Sequence, residues 1–370
     1  MHVRWLELLA FRNHASLNFA PDPGVNALIG PNGQGKTSLL EALHLLATGR
    51  SFRTARLAEC VGRGAAEAIV AGEIVHGSQA CAIRLRVFAQ GGVAADRELC
   101  PWVRAVSFAA SDLALLTGPP QVRRAYLDGA AAKLVPAHAE ACRRYRLVLH
   151  QRARLLGQLG GRADAERLLE PWDEQVAMLG SEIVHRRIET LHHLGEATLV
   201  VWRALAPEGR EMGLVYVPAV APGGERAATR DRLREALVAR RRIEVARGVT
   251  LVGPHRDDLV VRLGGIEARG YASRGEQRVM ALTLRLAEAG MVGRRLGVAP
   301  VLVLDDVLSE LDRQARGRVL GWIETQGQVV FSTTDAAMLP AGTGVTWDVR
   351  PDGVSTLVGA EAPIGTEGAA

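Results

Sequence analysis

Gly30-Pro31-Asn32-Gly33-Gln34-Gly35-Lys36-Thr37, followed by Ser38, has the G-x-x-x-x-G-K-[ST] spacing of a phosphate-binding loop. Glycine at these positions lets successive backbone N–H groups close around a phosphate where a Cβ would intrude. The ammonium of Lys36 is a compact charge suited to β- and γ-phosphate oxygens, a role the broad planar fork of Arg fits poorly. The hydroxyl of Thr37 is a hard oxygen ligand for Mg²⁺. Far along the chain, Asp305-Asp306 ends the apolar run Val301-Leu302-Val303-Leu304. There the first carboxylate can take the metal and the second can orient or activate a water.

Such residues need an α/β scaffold that brings loop and acidic pair together. Val25–Ile29 reads as the strand entering the loop, and Lys36–Ala47 as the helix leaving it, its leucines at helical spacing. The N-terminus of that helix adds its positive end to the phosphate site. The run before Asp305 reads as a central parallel strand covered on both faces, and ligands sit at the carboxyl ends of such strands. Val3–Phe11, Ser16–Phe19, Ala68–Val75 and Ala82–Phe88 are further strands. From about Gln121 to Arg247 the pattern is mostly long helix. One apolar stripe runs through Ala141, Tyr145, Val148, Leu149, Leu155 and Leu156, and a second through Leu179, Ile183, Ile188, Leu191, Leu194 and Leu199. Gly160-Gly161 and the Pro207–Gly213 region break the helices. The expected division is an α/β head over 1–120 and 248–358, an inserted helical lobe over 121–247, and a loose tail over 359–370.

With 370 residues, 48% hydrophobic and 23% charged, the chain has room for two globular domains. No apolar run approaches the ~20 residues of a membrane span, and the charged start is no signal peptide, so a soluble cytoplasmic protein with no membrane partner is expected. Four cysteines without a C-x-x-C pair argue against a disulfide framework or a zinc ribbon. The 45 basic and 40 acidic residues leave a net charge of +5, and only Lys36 and Lys133 of the basic residues are lysine. Residues 121–247 carry +6 and the remainder −1. Any single Arg pair there reads as a solvated helix face, while the segment as a whole fits a surface facing an anionic polymer as well as it fits a solvated one.

Two further motifs select a class. Ser273-Arg274-Gly275-Glu276-Gln277, ahead of the helix Val279–Ala289, resembles the signature motif of ABC-type ATPases, and Ser309-Glu310-Leu311-Asp312 resembles their D-loop. Alone, the first is explained equally by a helix cap. In the order phosphate loop, signature, acidic pair, D-loop, the set points to an ABC-type ATPase. Ser273 lies 236 positions after Thr37. That insert is long for a transporter subunit and short for a chromosome-organising coiled coil. Helices of ~40 residues in it make arms of about 60 Å.

Over essentially its full length the chain resembles the RecF family. The residues that carry the resemblance are Phe11-Arg12-Asn13-His14, Gly49-Arg50-Ser51-Phe52-Arg53, Gly118 to Asp128, Gly253-Pro254-His255-Arg256-Asp257-Asp258, Ser273 to Gln277 and Leu304 to Asp312. It implies an ABC-type P-loop head with a mixed β-sheet, plus an inserted lobe of short antiparallel helices. It also implies ATP and Mg²⁺ as cofactors, with Gly30, Pro31, Asn32, Gly33, Gln34, Gly35, Lys36, Thr37 and Ser38 around the nucleotide. Thr37 and Asp305 would hold the metal, and Asp306 would act on the water. Ser273, Gly275 and Glu276 would reach the γ-phosphate of a second subunit. The implied partners are double-stranded DNA near gaps or single-strand/double-strand junctions, a second copy of the chain in an ATP-dependent homodimer, and RecR, with RecO and RecA downstream in loading recombinase. The alternative is an ABC-type ATPase subunit of another system, in transport or chromosome organisation. Asp306 stands where transporters and chromosome-organising ATPases have Glu, Thr334 stands in place of the switch histidine, and no Q-loop glutamine is evident, which together imply slow hydrolysis. His14 and His255 read as structural. Asp257-Asp258 reads equally as a Mg²⁺ site or an ion-paired loop, and Arg123-Arg124 and Arg143-Arg144 as phosphate contacts or helix faces.

Overall fold

A computed structural model describes residues 1–96, 100, 102–159, 164–206, 210–340, 342–350 and 353–356. Gly160-Gly161, Pro207 and the 359–370 segment lie outside the described residues. The chain forms two compact units, one of Met1–Asp112, Ala204–Ala206 and Val292–Ala370, the other of Leu113–Arg203 and Pro207–Met291.

The first unit opens with β1 (His2–Phe11), β2 (His14–Phe19), β3 (Val25–Ile29) and α1 (Lys36–Thr48), then β4 (Glu67–His76), β5 (Gln79–Phe88), β6 (Val93–Ala95) and β7 (Ala105–Phe108). An antiparallel sheet has the order β2-β1-β4-β5-β6. In β5 the buried Cys81, Ile83, Leu85 and Val87 alternate with exposed residues, so one face meets the core. Cys81 is joined to Cys100 by a disulfide, which corrects the expectation drawn from cysteine spacing. β6 runs back antiparallel to β5, and two thiols 19 residues apart that no local pattern pairs are joined.

In the second unit α2 (Ala114–Thr117), α3 (Pro120–Leu134), α4 (Ala137–Leu156) and the 41-residue α5 (Ala165–Leu205) precede β8 (Met212–Val217), α6 (Arg226–Arg247), β9 (Asp258–Leu263), β10 (Ile266–Glu267) and α7 (Arg274–Leu296). Tyr145 and Val148 of α4 pack with Val176, Leu179 and Ile183 of α5 and with Leu233 and Leu237 of α6. Two expectations are corrected here. Met212–Val217 is a strand, because its partner β9 lies 40-odd residues downstream and pairs with it along its full length. The second apolar stripe holds only in part: Leu179, Ile183 and Leu194 are buried, whereas Ile188 and Leu199 are each 37% exposed. The buried face of α5 continues instead through the polar Arg187, Thr190 and Thr198. Arg187 is satisfied by Asp128 at 2.7 and 2.8 Å, and Thr198 by the Leu194 carbonyl at 2.7 Å. Residues 248–291 cluster with this unit, where the sequence reading put them in the head. The tie is visible in the side chains: the Tyr126 hydroxyl of α3 donates to Leu284 O at 2.7 Å and Lys133 donates to the buried Glu288 at 2.7 Å, both on α7.

The chain then completes the first unit with β11 (Val301–Leu304), α8 (Arg313–Ile323), β12 (Val329–Ser332), β13 (Val345–Arg350) and β14 (Gly353–Thr356). The second sheet of this unit has the order β14-β13-β3-β12-β11-β7. It is parallel from β13 to β7, with β14 antiparallel at the edge, the mixed sheet expected. Helix α1 contacts β1, β4 and β5 of one sheet and β7, β11 and β12 of the other. Leu39, Leu40, Leu43, Leu45 and Leu46 are accordingly all buried, as a helix apolar on every side requires. The phosphate loop thus grows from a helix embedded in the core. Among the described residues no helix is long and apolar enough to cross a membrane.

Candidate nucleotide site

Strands β3, β12 and β11 are parallel neighbours, so their carboxyl ends open onto one crevice. The loop after β3 turns through Gly30 (φ 144°) and Gly35 (φ 103°), both in the region that favours glycine. At Gly35 a Cβ would stand 2.3 Å from His14 Nε2, and at Gly30 it would stand 2.8 Å from Val349 O. His14, 1% exposed and 3.2 Å from Gly35 O, is therefore packed under the loop, the structural role expected of it. Pro31, Asn32 and Gly33 are exposed, Gln34 is half-buried, and Ser38 is buried in the first turn of α1.

Lys36 is buried, and its Nζ donates to Gly30 O at 2.5 Å and Pro31 O at 2.9 Å. Burial lowers its pKa, with Asp305 and Asp306 opposing. The Thr37 hydroxyl donates to Asp305 Oδ1 at 2.9 Å, closing a contact between residues 268 positions apart. Ser332 also donates to that oxygen, at 2.8 Å. Burial raises the Asp305 carboxyl, and these two hydroxyl bonds work against the rise. A cleft of about 260 Å³ results, with Asn32, Gly33, Lys36 and Thr37 on one side and Asp305, Asp306, Ser332 and Thr334 on the other. Adjacent hydroxyl and carboxylate oxygens are the hard donors that Mg²⁺ takes, and they fit it. In the D-loop, Asp312 caps α8 by accepting from Ala315 N at 2.8 Å.

Two residues of this unit escaped the sequence reading. Ser332 is one; its signal is a serine closing an otherwise apolar buried strand. Glu41 is the other, a carboxylate amid the leucines of α1 and fully buried. It accepts from Arg12 at 2.8 and 2.7 Å, from Ser51 at 2.5 Å and from Arg53 at 3.2 Å. The Phe11–His14 and Gly49–Arg53 motifs thus converge on one carboxylate in α1. Burial pushes the Glu41 carboxyl up, but the Arg12 and Ser51 bonds more than reverse this and hold it below its ordinary value.

The signature residues lie in the second unit. Ser273 N and Oγ each donate to Glu276 Oε2 at 2.8 Å, while Glu276 N donates to Ser273 Oγ at 3.3 Å. This is a reciprocal capping box at the start of α7. Glu276 also pairs with Arg210 at 2.5 Å, so its carboxylate serves the cap and this ion pair. Ser273, Arg274 and Gly275 are exposed, and a Cβ at Gly275 would meet nothing within 4 Å.

Nearby, Asp258 accepts both arms of Arg123 at 2.8 and 2.7 Å, and Asp257 accepts from Ala219 N, Tyr216 and Arg187. Of the two readings of this acidic pair, the structure has the ion-paired loop. Arg123 is buried in it, and Arg124 donates to Asp257 O, whereas Arg143 and Arg144 are exposed. His255 accepts from the Tyr145 hydroxyl at 2.9 Å and donates to Thr250 O at 3.1 Å. Burial brings its pKa down to about 4, so it is a neutral structural residue at neutral pH. Asp128, His138 and Cys142 also converge within metal-ligand distance, but Arg187 already holds both Asp128 oxygens.

The RecF/RecN/SMC N terminal domain model matches residues 2–349. The DNA replication and repair protein RecF of Streptomyces avermitilis is 38% identical over 368 residues, covering 94% of this chain and 98% of that protein. The RecF of Frankia alni is 37% identical over 362 residues, covering 92% and 95%. A solved structure of the recombination mediator protein RecF-ATP in the RecFOR pathway matches with a TM-score of 0.87 at 26% identity, covering 96% and 98%. An Smc head bound to the C-winged helix domain of ScpA matches with a TM-score of 0.55 at 15% identity, covering 96% and 98%, a likeness of fold alone.

Proposed function

Because the chain belongs to the RecF family of DNA replication and repair proteins, we propose that it is an ATP-dependent DNA-binding protein of recombinational repair. In this reading an ATP-bound homodimer clamps double-stranded DNA near gaps or single-strand/double-strand junctions. It works in the cytoplasm with RecR, and with RecO and RecA downstream, to load recombinase. The observation that carries the reading is the Thr37–Asp305 contact beside the buried Lys36, which assembles a nucleotide cleft from two distant segments.

The geometry supports a set of roles. On nucleotide binding, the Lys36 ammonium exchanges the Gly30 and Pro31 carbonyls for phosphate oxygens, and the loop N–H groups donate to the same phosphates. Mg²⁺, when bound, supplies charge that neutralises the β- and γ-oxygens; Thr37 and Asp305 are the residues that would hold it. Asp306 orients the attacking water and accepts its proton. Its carboxylate is one methylene shorter than the Glu usual in transporter and chromosome-organising ATPases, and Thr334 stands in place of the histidine, so hydrolysis is slow and ATP serves mainly to hold the dimer closed. The exposed start of α7, with Ser273 and Gly275 free of cover, supports docking of that helix end on the γ-phosphate of a second copy. Glu276 supports this by holding Ser273 in place. The charge of +6 on residues 121–247 supports the DNA contact.

The test is binding to gapped duplex with and without ATP across a salt series. Phosphate contacts give a log–log slope of about −0.9 per contact, and ATP should tighten binding. A flat salt dependence, or binding indifferent to ATP, sinks the clamp.

A further inference from the structure

The hydroxyl of Ser332, at the end of β12 and 1% exposed, has two partners. It accepts the backbone N–H of Asp306 at 2.8 Å and donates to Asp305 Oδ1 at 2.8 Å. Asp306 takes φ 51°, a left-handed conformation that a residue with a Cβ rarely adopts and that surrounding contacts must hold. That turn sets where the Asp306 carboxylate points. Asp305 has another donor, Thr37, at 2.9 Å. Thr37 ties Asp305 to the phosphate loop, whereas Ser332 ties Asp305 and Asp306 together to the neighbouring strand of the sheet. Its burial keeps bulk water from taking over either bond.

We propose that Ser332 is a positioning residue that sets both carboxylates of the cleft through one hydroxyl. The metal-holding oxygen of Asp305 and the backbone turn presenting Asp306 then move as one body with β12. This rests on the cleft being a Mg²⁺–ATP site, as argued above. Such a residue should matter little for capturing ATP, which falls to the loop and Lys36, and much for the metal and for the chemical step.

The experiment compares Ser332→Ala, Ser332→Thr and Ser332→Cys with the wild-type full-length chain. Steady-state hydrolysis gives kcat and KM for ATP, and electron paramagnetic resonance gives Mn²⁺ affinity of the ATPγS complex. Ser332→Ala should lower kcat about 10- to 100-fold, the range for losing a hydrogen bond to a charged group, with KM within about threefold. Mn²⁺ affinity should fall about tenfold for the same reason. Ser332→Thr restores the hydroxyl and should recover most of both. Ser332→Cys keeps the volume with a weak donor and should behave as Ala. Wild-type kcat and Mn²⁺ affinity in Ser332→Ala overturn the proposal, as does rescue by Cys but not by Thr, which marks a packing role. Should Ser332→Ala fail to fold, the Thr–Cys comparison alone decides. A wild-type chain that hydrolyses no ATP overturns the functional reading itself, a result distinguishable from active variants that match an active wild type.

Discussion

Replacing Lys133 by Met removes an ammonium and keeps most of the stem that carries it. Glu288, fully buried on α7, has Lys133 on one oxygen at 2.7 Å and Arg285 on the other at 2.9 Å. Removing one partner of a buried pair costs about 3–5 kcal/mol, because a charge is left in low dielectric. Arg285 stays on Glu288, so the lower end applies, about 3 kcal/mol. For a chain of 370 residues that lowers Tm by about 4 °C. The pH dependence follows from the same carboxyl. Burial pushes Glu288 up, and Lys133 with Arg285 more than reverses this, so that it lies below its ordinary value of 4.5. In the wild type its contribution is therefore present at neutral pH and lost only as pH falls through that depressed value. In Lys133→Met burial gains the upper hand, the carboxyl rises, and the gap between the two proteins narrows on acidification toward pH 4. Urea denaturation at pH 7.5 and pH 5 measures both effects. A loss under about 1 kcal/mol at pH 7.5 refutes the reasoning. So does a Lys133→Met/Arg285→Met/Glu288→Met triple variant no more stable than Lys133→Met, since replacing the whole ionic group with apolar side chains should recover most of the loss.

Asp306→Asn should keep ATP binding and ATP-dependent dimerisation, seen by light scattering, while hydrolysis is abolished; failure to dimerise with ATP would show that Asp306 has another role. Lys36→Arg should weaken ATP binding about 10- to 100-fold by calorimetry, because the broad planar guanidinium replaces a compact ammonium at the phosphate oxygens. Glu41→Gln should cost about 3 kcal/mol in urea denaturation at pH 7.5, since Arg12 and Arg53 lose their buried counter-charge. That difference should shrink as pH falls through the depressed Glu41 value, where the wild-type carboxyl is itself neutralised.

Whatever depends on near neighbours in the chain was legible without the fold. The glycine spacing of 30–35, the apolar run before Asp305 and the leucines of α1 are local patterns, and β3 occupies its expected span of Val25–Ile29. Local periodicity failed where a polar residue takes a buried place. Arg187 and Thr198 sit inside the buried face of α5 because an ion pair and a hydrogen bond satisfy them there, and an apolar pattern cannot register that. Pairings across long separations were equally out of reach. These include β8 with β9, Cys81 with Cys100, and α7 with α3.

The sequence by itself carries the spacing of a phosphate loop, an acidic strand end and a basic, mostly helical segment, because each needs only residue types close together in the chain. Only the tertiary structure decided that Thr37 meets Asp305, that Ser332 holds Asp305 and Asp306 at once, and that Glu41 gathers two motifs. The first depends on strand order in a sheet that sets β3 and β11 close together although they lie hundreds of residues apart, and the others on how neighbouring elements pack. The same holds for the two lysines in a chain that otherwise uses arginine. The proposed role of the Lys36 ammonium is read from its motif. The partner of Lys133 is not, because Glu288 is 155 residues away and becomes its neighbour only when α7 packs on α3.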